Sequence, residues 1–382
     1  MAGKLETAAK KGTHPVPFLD LSLVHAAVKA EILADIGRLI DSGTFVNGLA
    51  VKGFEQAFAA YCGTEECVGV ASGLDALRLS LLASGLERGE EVIVPAQTFV
   101  ATYEAVTQAG GCPIPADVSE SDYGLHVEAV EAAISPRTRF VVPVHLYGQM
   151  ADIRALLPVL ARHGLDMIED ACQAPGASRD GVGAGGAGLA SAFSFYPAKN
   201  LGALGDAGAL VTNSRDLASR ACALREHGQR AKYEHEHEGY TARLDTIQAL
   251  VLLRKLPFLD DWNEQRRGAA AFYTEALAGV GDVRLPPVAA GSRPVWHLYV
   301  IRTKEPDRLA TYLSTRGIAT GRHYPQPPHL TTAYARLGYR PGAFPVAEAL
   351  ADEGLSLPIF PGISEAQLSA VVEAVKDFFR HG

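Results

Sequence analysis

Residues 139–168 read RFVVPVHLYGQMADIRALLPVLARHGLDMI and contain three segments with different hydrophobic patterns. Residues 139–144 and 165–168 are short apolar runs, whereas residues 151–163 are longer and amphipathic. The short runs predict buried strands, and the amphipathic segment predicts a helix that connects them. A strand, a helix and a second strand in this order are typical of a parallel sheet covered by helices.

The same alternation continues on both sides of this stretch. Further strands are predicted at 91–94, 191–195 and 208–212, and further helices at 125–134, 217–227 and 245–256. After about Gly279 the pattern changes to a strand at 295–301 and helices at 307–316 and 364–380. We therefore predict an α/β fold with an N-terminal extension (1–16), a large domain with a mixed, mostly parallel sheet flanked by helices (17–256), and a smaller α+β C-terminal domain (257–382).

The composition restricts the class of protein. The chain has 382 residues, 48% of them hydrophobic, which suits about two packed domains and excludes a disordered chain. Its net charge of −8 argues against a general nucleic-acid-binding protein. No apolar run reaches the roughly 18–20 residues that span a bilayer, and the N-terminus lacks the pattern of a signal peptide. Five scattered cysteines without a CxxC pair favour a reduced, cytoplasmic protein without a structural metal.

The motif ASGLDAL at 71–77 follows an apolar run and precedes a helical pattern. Ser72 can cap that helix, and Gly73 lets an anion approach the free N–H groups of the first turn. The motif fits an anion site or an ordinary capped helix.

Two further motifs, MIEDACQ at 167–173 and SFYPAKNLG at 194–202, place ionisable groups after apolar strands. An acid such as Asp170 at a strand end faces the crevice where ligands of open α/β sheets bind, although it could equally be a helix N-cap. Lys199 lies in a loop. In a dry pocket a lysine loses its proton easily and becomes a nucleophile for carbonyls. In a solvated loop it stays protonated and is not a nucleophile.

Two other sequence patterns are not predicted to form binding sites. Residues 181–188 read GVGAGGAG and contain GxGxxG twice, but an exposed turn precedes them and an apolar strand follows. A dinucleotide site needs a strand before the glycines and a helix after them, so a flexible connection is predicted. The run EHEHE at 234–238 is predicted to be a solvated loop, and no metal site is expected there.

Taken in order, several segments of the chain resemble one family, the pyridoxal-phosphate-dependent nucleotide-sugar aminotransferases of the DegT–StrS family, a branch of the fold type I aminotransferases. The segments are PAQTFVAT (95–102), PVHLYGQ (143–149), EDACQ (169–173), SFYPAKNLG (194–202), RLD (243–245) and HYP (323–325). The sequences of residues 194–205, 296–298 and 323–329 are most similar to those of members that aminate carbon three of TDP-linked keto-deoxysugars.

The resemblance implies a role for each matching residue. Lys199 matches the lysine that holds pyridoxal phosphate as a Schiff base and moves the proton. Asp170 matches the carboxylate that keeps the pyridine nitrogen protonated. Other positions match residues beside the ring hydroxyl (Gln173), on the ring face (Phe99), around the phosphate (Gly73, Leu74, Ser194), in the sugar pocket (Tyr196, His323, Tyr324), and in a segment that the second subunit lends (Thr241, Arg243).

The chain departs from the family pattern at two points. Thr241 and Ala242 replace an Asn-Ser pair whose asparagine reaches the cofactor phosphate across the dimer, and Ala198 replaces the glycine before the lysine. Both changes leave the chemistry in place, but they put the phosphate contact of Thr241 in question.

The resemblance implies a homodimeric, cytoplasmic aminotransferase for amino-sugar biosynthesis. It would take the amino group of L-glutamate, hold it as pyridoxamine phosphate and pass it to a TDP-linked 3-keto-6-deoxyhexose, with a 4-keto or UDP-linked sugar as the alternative. Two rivals of other classes are a related sugar dehydratase, which has histidine in place of the lysine, and a non-catalytic cofactor-binding regulator. Lys199 argues against the dehydratase, and Lys199, Asp170 and Gln173 together argue against the regulator.

Overall fold

The computed structural model describes residues 15–381, so the predicted extension at 1–16 lies almost wholly outside the described residues. The helices of the described part are α1 (Leu21–Ala26), α2 (Lys29–Ser42), α3 (Leu49–Cys62), α4 (Gly73–Ala83), α5 (Ala101–Gln108), α6 (Val127–Ala133), α7 (Ile153–His163), α8 (Arg215–Arg225), α9 (Thr246–Lys255), α10 (Leu259–Leu277), α11 (Pro306–Thr315), α12 (Pro345–Glu353) and α13 (Glu365–His381). None of these helices is long and apolar enough to cross a membrane.

The strands of the described part are β1 (Glu66–Val70), β2 (Glu91–Pro95), β3 (Cys112–Ala116), β4 (Thr138–Val141), β5 (Asp166–Asp170), β6 (Ser178–Arg179), β7 (Val182–Gly183), β8 (Ala190–Ser194), β9 (Gly208–Thr212), β10 (Gln229–Ala231), β11 (Glu234–His235), β12 (Ser292–Arg293), β13 (Tyr299–Arg302) and β14 (Gly354–Leu357). Short 3₁₀ turns lie at Leu146–Gly148, Leu256–Phe258, Pro328–Leu330 and Thr332–Leu337.

Within the described residues, the central sheet has the strand order β1-β9-β8-β5-β4-β2-β3. The pairs from β8 to β3 are parallel, whereas β9 runs antiparallel to both of its neighbours, β8 and β1. The predicted mixed, mostly parallel sheet is therefore confirmed. The predicted strand at 208–212 has the bounds of β9, and the other predicted strands of this sheet differ from the observed ones by a few residues at most.

Both faces of the sheet are buried, which explains the nearly continuous apolar runs of its strands. In β2, Ile93 packs into one hydrophobic cluster while Val92 and Val94 pack into another on the opposite face. Alternate side chains of a strand point to opposite faces, so one short run supplies two cores. Helices cover each face and leave the carboxyl ends of the parallel strands open at one edge.

A separate hydrophobic cluster unites α10, α11, α13 and the β13–β14 pair around Tyr273 and Tyr299. We propose that this cluster is the core of the small C-terminal domain, with the boundary near Pro257 as the sequence suggests. Val16, at the end of the predicted extension, joins this cluster, and its N–H donates to Gly317 O at 2.9 Å.

The structure corrects three points of the sequence analysis. The helices α1 to α3 precede β1 and were absent from the prediction. The predicted strand at 295–301 is strand only over Tyr299–Arg302, because Trp296 has a φ of +46° that no strand allows. The loop predicted at 234–238 begins with the exposed strand β11, which pairs with β10.

Candidate active site

A cavity of about 370 Å³ lies at the carboxyl edge of the central sheet, between β5, β8 and the start of α4. Loops that are far apart in sequence meet around it, as the crevice rule for open α/β sheets predicts. The cavity is lined by ten of the residues singled out from the sequence, namely Gly73, Leu74, Phe99, Asp170, Gln173, Ser194, Tyr196, Lys199, His323 and Tyr324.

Lys199 extends from the loop that follows β8. A turn forms this loop, and its Lys199 N–H donates to Tyr196 O at 2.8 Å. Burial lowers the pKa of Lys199, and the neighbouring Cys172 and Asp170 only partly oppose this effect. A larger fraction of the amine is therefore unprotonated and nucleophilic than for a lysine in water. Lys199 is partly buried and lines the cavity, so it is not a solvated loop lysine.

Asp170 ends β5, and the residue is 7% exposed at the cavity wall. Thr102 Oγ1 donates to Oδ2 at 2.8 Å, and the Cys172 N–H donates to Oδ1 at 3.2 Å. No described helix begins here, so the alternative interpretation of Asp170 as a helix N-cap is wrong. The two donors hold an acceptor-rich group in a fixed orientation toward the cavity.

Gln173 and two aromatic side chains form the adjoining wall. The Tyr147 N–H donates to Gln173 Oε1 at 2.7 Å, which orients the amide so that Gln173 Nε2 donates to the Tyr324 hydroxyl at 3.2 Å. The rings of Phe99 and Tyr324 lie 5.2 Å apart at 38°, and Phe99 is about half exposed. An exposed aromatic face at a cavity is suited to cover a planar ring.

The start of α4 closes the cavity on the opposite side. Ser72 Oγ accepts from the Asp75 N–H at 3.0 Å, as predicted for a capping serine. The N–H groups of Gly73 and Leu74, in the first turn, have no partner within a helix. A side chain at Gly73 would put its Cβ 2.6 Å from Ser194 Cβ and 2.8 Å from Cys172 Sγ, so only glycine fits. The helix start thus offers donors in a cradle that a Cβ would fill.

Thr241 and Arg243 lie outside this cavity. Thr241 is exposed, and its hydroxyl lies 3.1 Å from His227 Nε2. Arg243 pairs with Glu226 at 2.7 Å, and Glu226 lines a separate cavity of about 510 Å³. In a single chain these two residues do not complete the site around Lys199.

Comparison with known proteins places this geometry in a family. The family model described as the DegT/DnrJ/EryC1/StrS aminotransferase family matches residues 26–376. The chain belongs to this aminotransferase family.

Relatives and solved structures match the aminotransferase over almost its full length. It is 46% identical over 371 residues, 97% of the chain and 98% of the relative, to dTDP-3-amino-3,4,6-trideoxy-alpha-D-glucose transaminase of Streptomyces venezuelae. It is 41% identical to dTDP-3-amino-3,6-dideoxy-alpha-D-galactopyranose transaminase of Aneurinibacillus thermoaerophilus, over 95% of the chain and 99% of the relative. The crystal structure of S. venezuelae DesV with a ketimine intermediate superposes with a TM-score of 0.94 at 46% identity, covering 97% of this chain and all of DesV.

The family uses pyridoxal phosphate, and the cavity of this aminotransferase fits that cofactor. A buried carboxylate at Asp170 suits a protonated ring nitrogen, and the lysine with lowered pKa suits the aldehyde. The cradle at Gly73, with its free amide donors, suits a phosphate. These three features lie on three walls of one cavity, as one bound molecule requires.

The residues that support β5 behind Asp170 were not predicted from the sequence. Glu169, the preceding residue, points to the other face of β5 and is fully buried. It accepts hydrogen bonds from His145 Nε2 (2.8 Å), Ser191 Oγ (2.6 Å), Gly188 N (2.8 Å), Ala187 N (3.0 Å) and Gly185 N (3.3 Å). Burial alone would raise the pKa of Glu169, but His145, Ser191 and the loop amides lower it to about 2. The glycine-rich loop predicted as a flexible connection is therefore anchored on a buried anion.

Thr102 and His297 were missed as cavity residues, although both lie within segments that carry the family resemblance. Thr102 is three residues after Phe99 in the motif at 95–102, and His297 lies in the segment at 296–298. Spacing alone could have indicated Thr102, because a turn before α5 brings it next to Phe99, with the Thr102 N–H donating to Phe99 O at 3.1 Å. His297 offered no comparable signal.

We expect the aminotransferase to lose stability in acid through Glu169. Its pKa is lowered from 4.5 to about 2 on folding, so the carboxylate stabilises the fold above pH 4.5 and loses this effect as the pH falls toward 2. The loss amounts to about 3 kcal/mol. Urea unfolding between pH 6 and pH 2.5 should show the free energy of unfolding of the natural protein converging on that of Glu169→Gln, which lacks the titrating group. The exposed control Glu128→Gln should instead track the natural protein, and parallel curves for Glu169→Gln would contradict the prediction.

Proposed function

We propose that this protein catalyses the pyridoxal-phosphate-dependent transfer of an amino group from L-glutamate to a TDP-linked 3-keto-6-deoxyhexose in amino-sugar biosynthesis. The observation that carries the proposal is the placement of Lys199, with its lowered pKa, and the fixed Asp170 carboxylate around one cavity. The two transaminases named above act on TDP-linked 3-amino sugars, and this supports the choice of substrate.

Each wall of the cavity has a part in holding the cofactor. Asp170 would pair with the ring nitrogen, Gln173 would contact the ring hydroxyl, and Phe99 would stack on the ring. Gly73, Leu74 and Ser194 would surround the phosphate at the start of α4. When bound, the cofactor supplies an electron sink for the carbon that loses its proton.

Lys199 would act as the proton carrier of both half-reactions. Its amine lies at the cavity, and its lowered pKa brings proton release closer to neutral pH. Its Nζ would take a proton from one carbon of the bound substrate and return it to another nearby. Thr102 Oγ1 and the Cys172 N–H donate to Asp170 and hold its carboxylate in position.

The outer part of the cavity would receive the sugar. Tyr196 is 55% exposed at its rim, while His323 and Tyr324 lie deeper. Burial and the charge of Lys199 lower the pKa of His323 to about 4, so its imidazole is neutral at neutral pH. A neutral histidine and two tyrosine hydroxyls suit the hydroxyl groups of a sugar better than the carboxylates of glutamate.

A cytoplasmic homodimer with shared active sites completes the proposal. The segment before and at the start of α3 exposes large apolar side chains at Phe45 (52%), Val46 (51%) and Leu49 (88%). Thr246, beside this segment, follows the stretch that carries Thr241 and Arg243, and its N–H donates to Phe45 O. Contact between two copies through this surface would bury the apolar groups and bring Thr241 and Arg243 near the partner's cavity.

The alternatives remain separable by experiment. The purified protein should be incubated with L-glutamate and a panel of TDP- and UDP-linked 3-keto and 4-keto sugars, with the products analysed by mass shift. Faster amination of the TDP-linked 3-keto-6-deoxy sugar supports the proposal. Faster amination of a 4-keto or UDP-linked sugar would replace the substrate and keep the class. Loss of a hydroxyl without gain of nitrogen would indicate a dehydratase, and no turnover on any sugar would indicate a cofactor-binding regulator.

We expect Thr241→Val to weaken cofactor retention. The valine keeps the shape of the side chain but removes a hydroxyl that would donate to the phosphate of the partner's site. The loss should correspond to one charge-assisted hydrogen bond, about 1.5–3 kcal/mol, measured as the dissociation constant of pyridoxal phosphate after dialysis. Thr241→Asn, which introduces the family residue, should bind as tightly as the natural protein or more tightly. If Thr241→Val retains the cofactor as well as the natural dimer, this position does not contact the phosphate.

A further inference from the structure

The turn that precedes β13 is held in an unusual backbone conformation beside the cavity. Trp296 has a φ of +46°, a region that bulky residues rarely occupy. On either side of it the Val295 N–H donates to Gly148 O at 2.9 Å and the Leu298 N–H donates to Tyr147 O at 3.3 Å. A strained residue persists only where its surroundings impose it, and such residues concentrate at functional sites. The residue that this turn presents to the cavity is His297.

A buried arginine fixes the same turn from the other side. Arg266 of α10 is 2% exposed, and one guanidinium nitrogen, Nη1, donates to Trp296 O (3.2 Å), His297 O (3.3 Å) and Ile359 O (3.0 Å). Burial lowers the pKa of Arg266 to about 10, which leaves it charged at neutral pH. The core of the small domain thus anchors the backbone of His297.

A chain of two amides fixes the His297 ring. Asn263 Nδ2 donates to Pro175 O at 2.9 Å, so Asn263 Oδ1 accepts from Asn200 Nδ2 at 2.8 Å. Asn200 Nδ2 also donates to Val295 O at 2.9 Å. Because backbone carbonyls can only accept, both amide orientations follow from these contacts.

The orientation of Asn200 sets the tautomer of His297. Asn200 Oδ1 faces His297 Nδ1 at 3.1 Å, and this oxygen can only accept, so Nδ1 carries the proton. Burial first, and then the charges of Lys199 and Arg266, lower the pKa of His297 well below its ordinary value. The neutral ring therefore has Nε2 as an unprotonated acceptor, beside Lys199 and His323 in the same cavity.

We infer that His297 is a further substrate-binding residue whose Nε2 accepts a hydrogen bond from a hydroxyl group of the sugar, on a carbon next to the one that receives the amino group. This inference rests on the proposed function. An unprotonated acceptor receives no hydrogen bond from a carboxylate, a phosphate oxygen or a keto oxygen, which excludes the two carboxylates of glutamate and the nucleotide diphosphate as its partners. Because His297 Nε2 lies beside Lys199, it lies near the reacting carbon of the sugar. The donor closest to that carbon is a hydroxyl group on a neighbouring carbon.

The test compares His297→Phe, which keeps a planar ring and removes the acceptor, with His297→Gln, whose amide oxygen restores one. The exposed His163→Phe on α7 is the matched control. Each holoenzyme is assayed separately in the glutamate half-reaction and in the sugar half-reaction. Two sugars are used that differ in the hydroxyl at carbon four, the TDP-linked 3-keto-6-deoxy and 3-keto-4,6-dideoxy hexoses. Cofactor affinity is measured by absorbance.

We expect His297→Phe to lower kcat/KM for the 3-keto-6-deoxy sugar about 10- to 100-fold, because a hydroxyl loses its partner in a buried site. The glutamate half-reaction and the cofactor affinity should change less than about twofold, and His297→Gln should recover part of the loss. A penalty confined to the sugar with the hydroxyl at carbon four assigns the contact to that group, and an equal penalty for both sugars assigns it to carbon two. An unchanged sugar half-reaction, or an equal loss with glutamate, overturns the inference. Failure of the natural enzyme on every sugar would instead refute the proposed function.

Discussion

Lys199→Ala is expected to fold normally and to lose at least about 1,000-fold in turnover. The natural protein should be yellow with bound pyridoxal phosphate, and glutamate should bleach the visible band. The alanine variant removes both the covalent attachment of the cofactor and the amine that carries the proton. Its Cβ leaves the loop intact, because the Lys199 contact that holds the turn is the backbone N–H to Tyr196 O.

A small primary amine distinguishes the chemical role of Lys199 from a structural one. Methylamine added to Lys199→Ala should restore part of the rate, since it can enter the space that the side chain leaves and take the proton. Lys52→Ala, an exposed change on α3, should keep full activity. A natural protein that stays colourless after incubation with pyridoxal phosphate, or a Lys199→Ala variant with ordinary turnover, would refute the site.

Asp170→Asn is expected to lower kcat/KM by at least about 100-fold, the equivalent of roughly 3 kcal/mol. The amide occupies the same volume and can keep the contact with Thr102, but it lacks the negative charge that stabilises a protonated pyridine nitrogen. The ring then accepts electrons less readily, and both half-reactions should slow together. Stopped-flow absorbance of each half-reaction measures this directly.

Thr102→Val separates the charge of Asp170 from its orientation. This variant keeps the carboxylate and removes the 2.8 Å hydrogen bond to Oδ2, so we expect a loss of only about 5- to 10-fold. Asp216→Asn, exposed in the first turn of α8, should have no effect. If Asp170→Asn retained natural rates, the carboxylate would face the cavity without contacting the cofactor nitrogen, and the cofactor orientation would have to be reassigned.

The sequence correctly predicts which residues line the cavity when those residues lie at or just after the end of a strand. Asp170 ends β5 and Lys199 follows β8, and the ends of neighbouring parallel strands meet at one edge of a sheet. Their proximity therefore follows from two local patterns and one topological rule. Motif similarity supplied Gln173 and Phe99, whose place in the cavity no local pattern would indicate.

Other elements depend on tertiary contacts that no local pattern reveals. The strand β3 reads CPIPA, and two prolines argue against a strand unless it lies at an edge, which is where the sheet places it. The residues before β13 look like a continuous strand, yet Arg266 and Gly148 hold them in a turn. By contrast, α3 buries Val51, Phe54 and Phe58 at helical spacing, so its absence from the prediction was avoidable.

The glycine-rich loop at 181–188 shows that amide groups gathered around a negative charge need not serve a ligand. Gly185, Ala187 and Gly188 direct their N–H groups at Glu169, an anion that belongs to the same chain. The loop resembles a nucleotide-binding pattern because both direct N–H groups at an anion. Here the anion is the Glu169 side chain, which occupies the place that a phosphate would need. Glu169 and the loop at 181–188 therefore depend on each other, because a change in either alone would leave buried N–H groups or a buried charge without a partner.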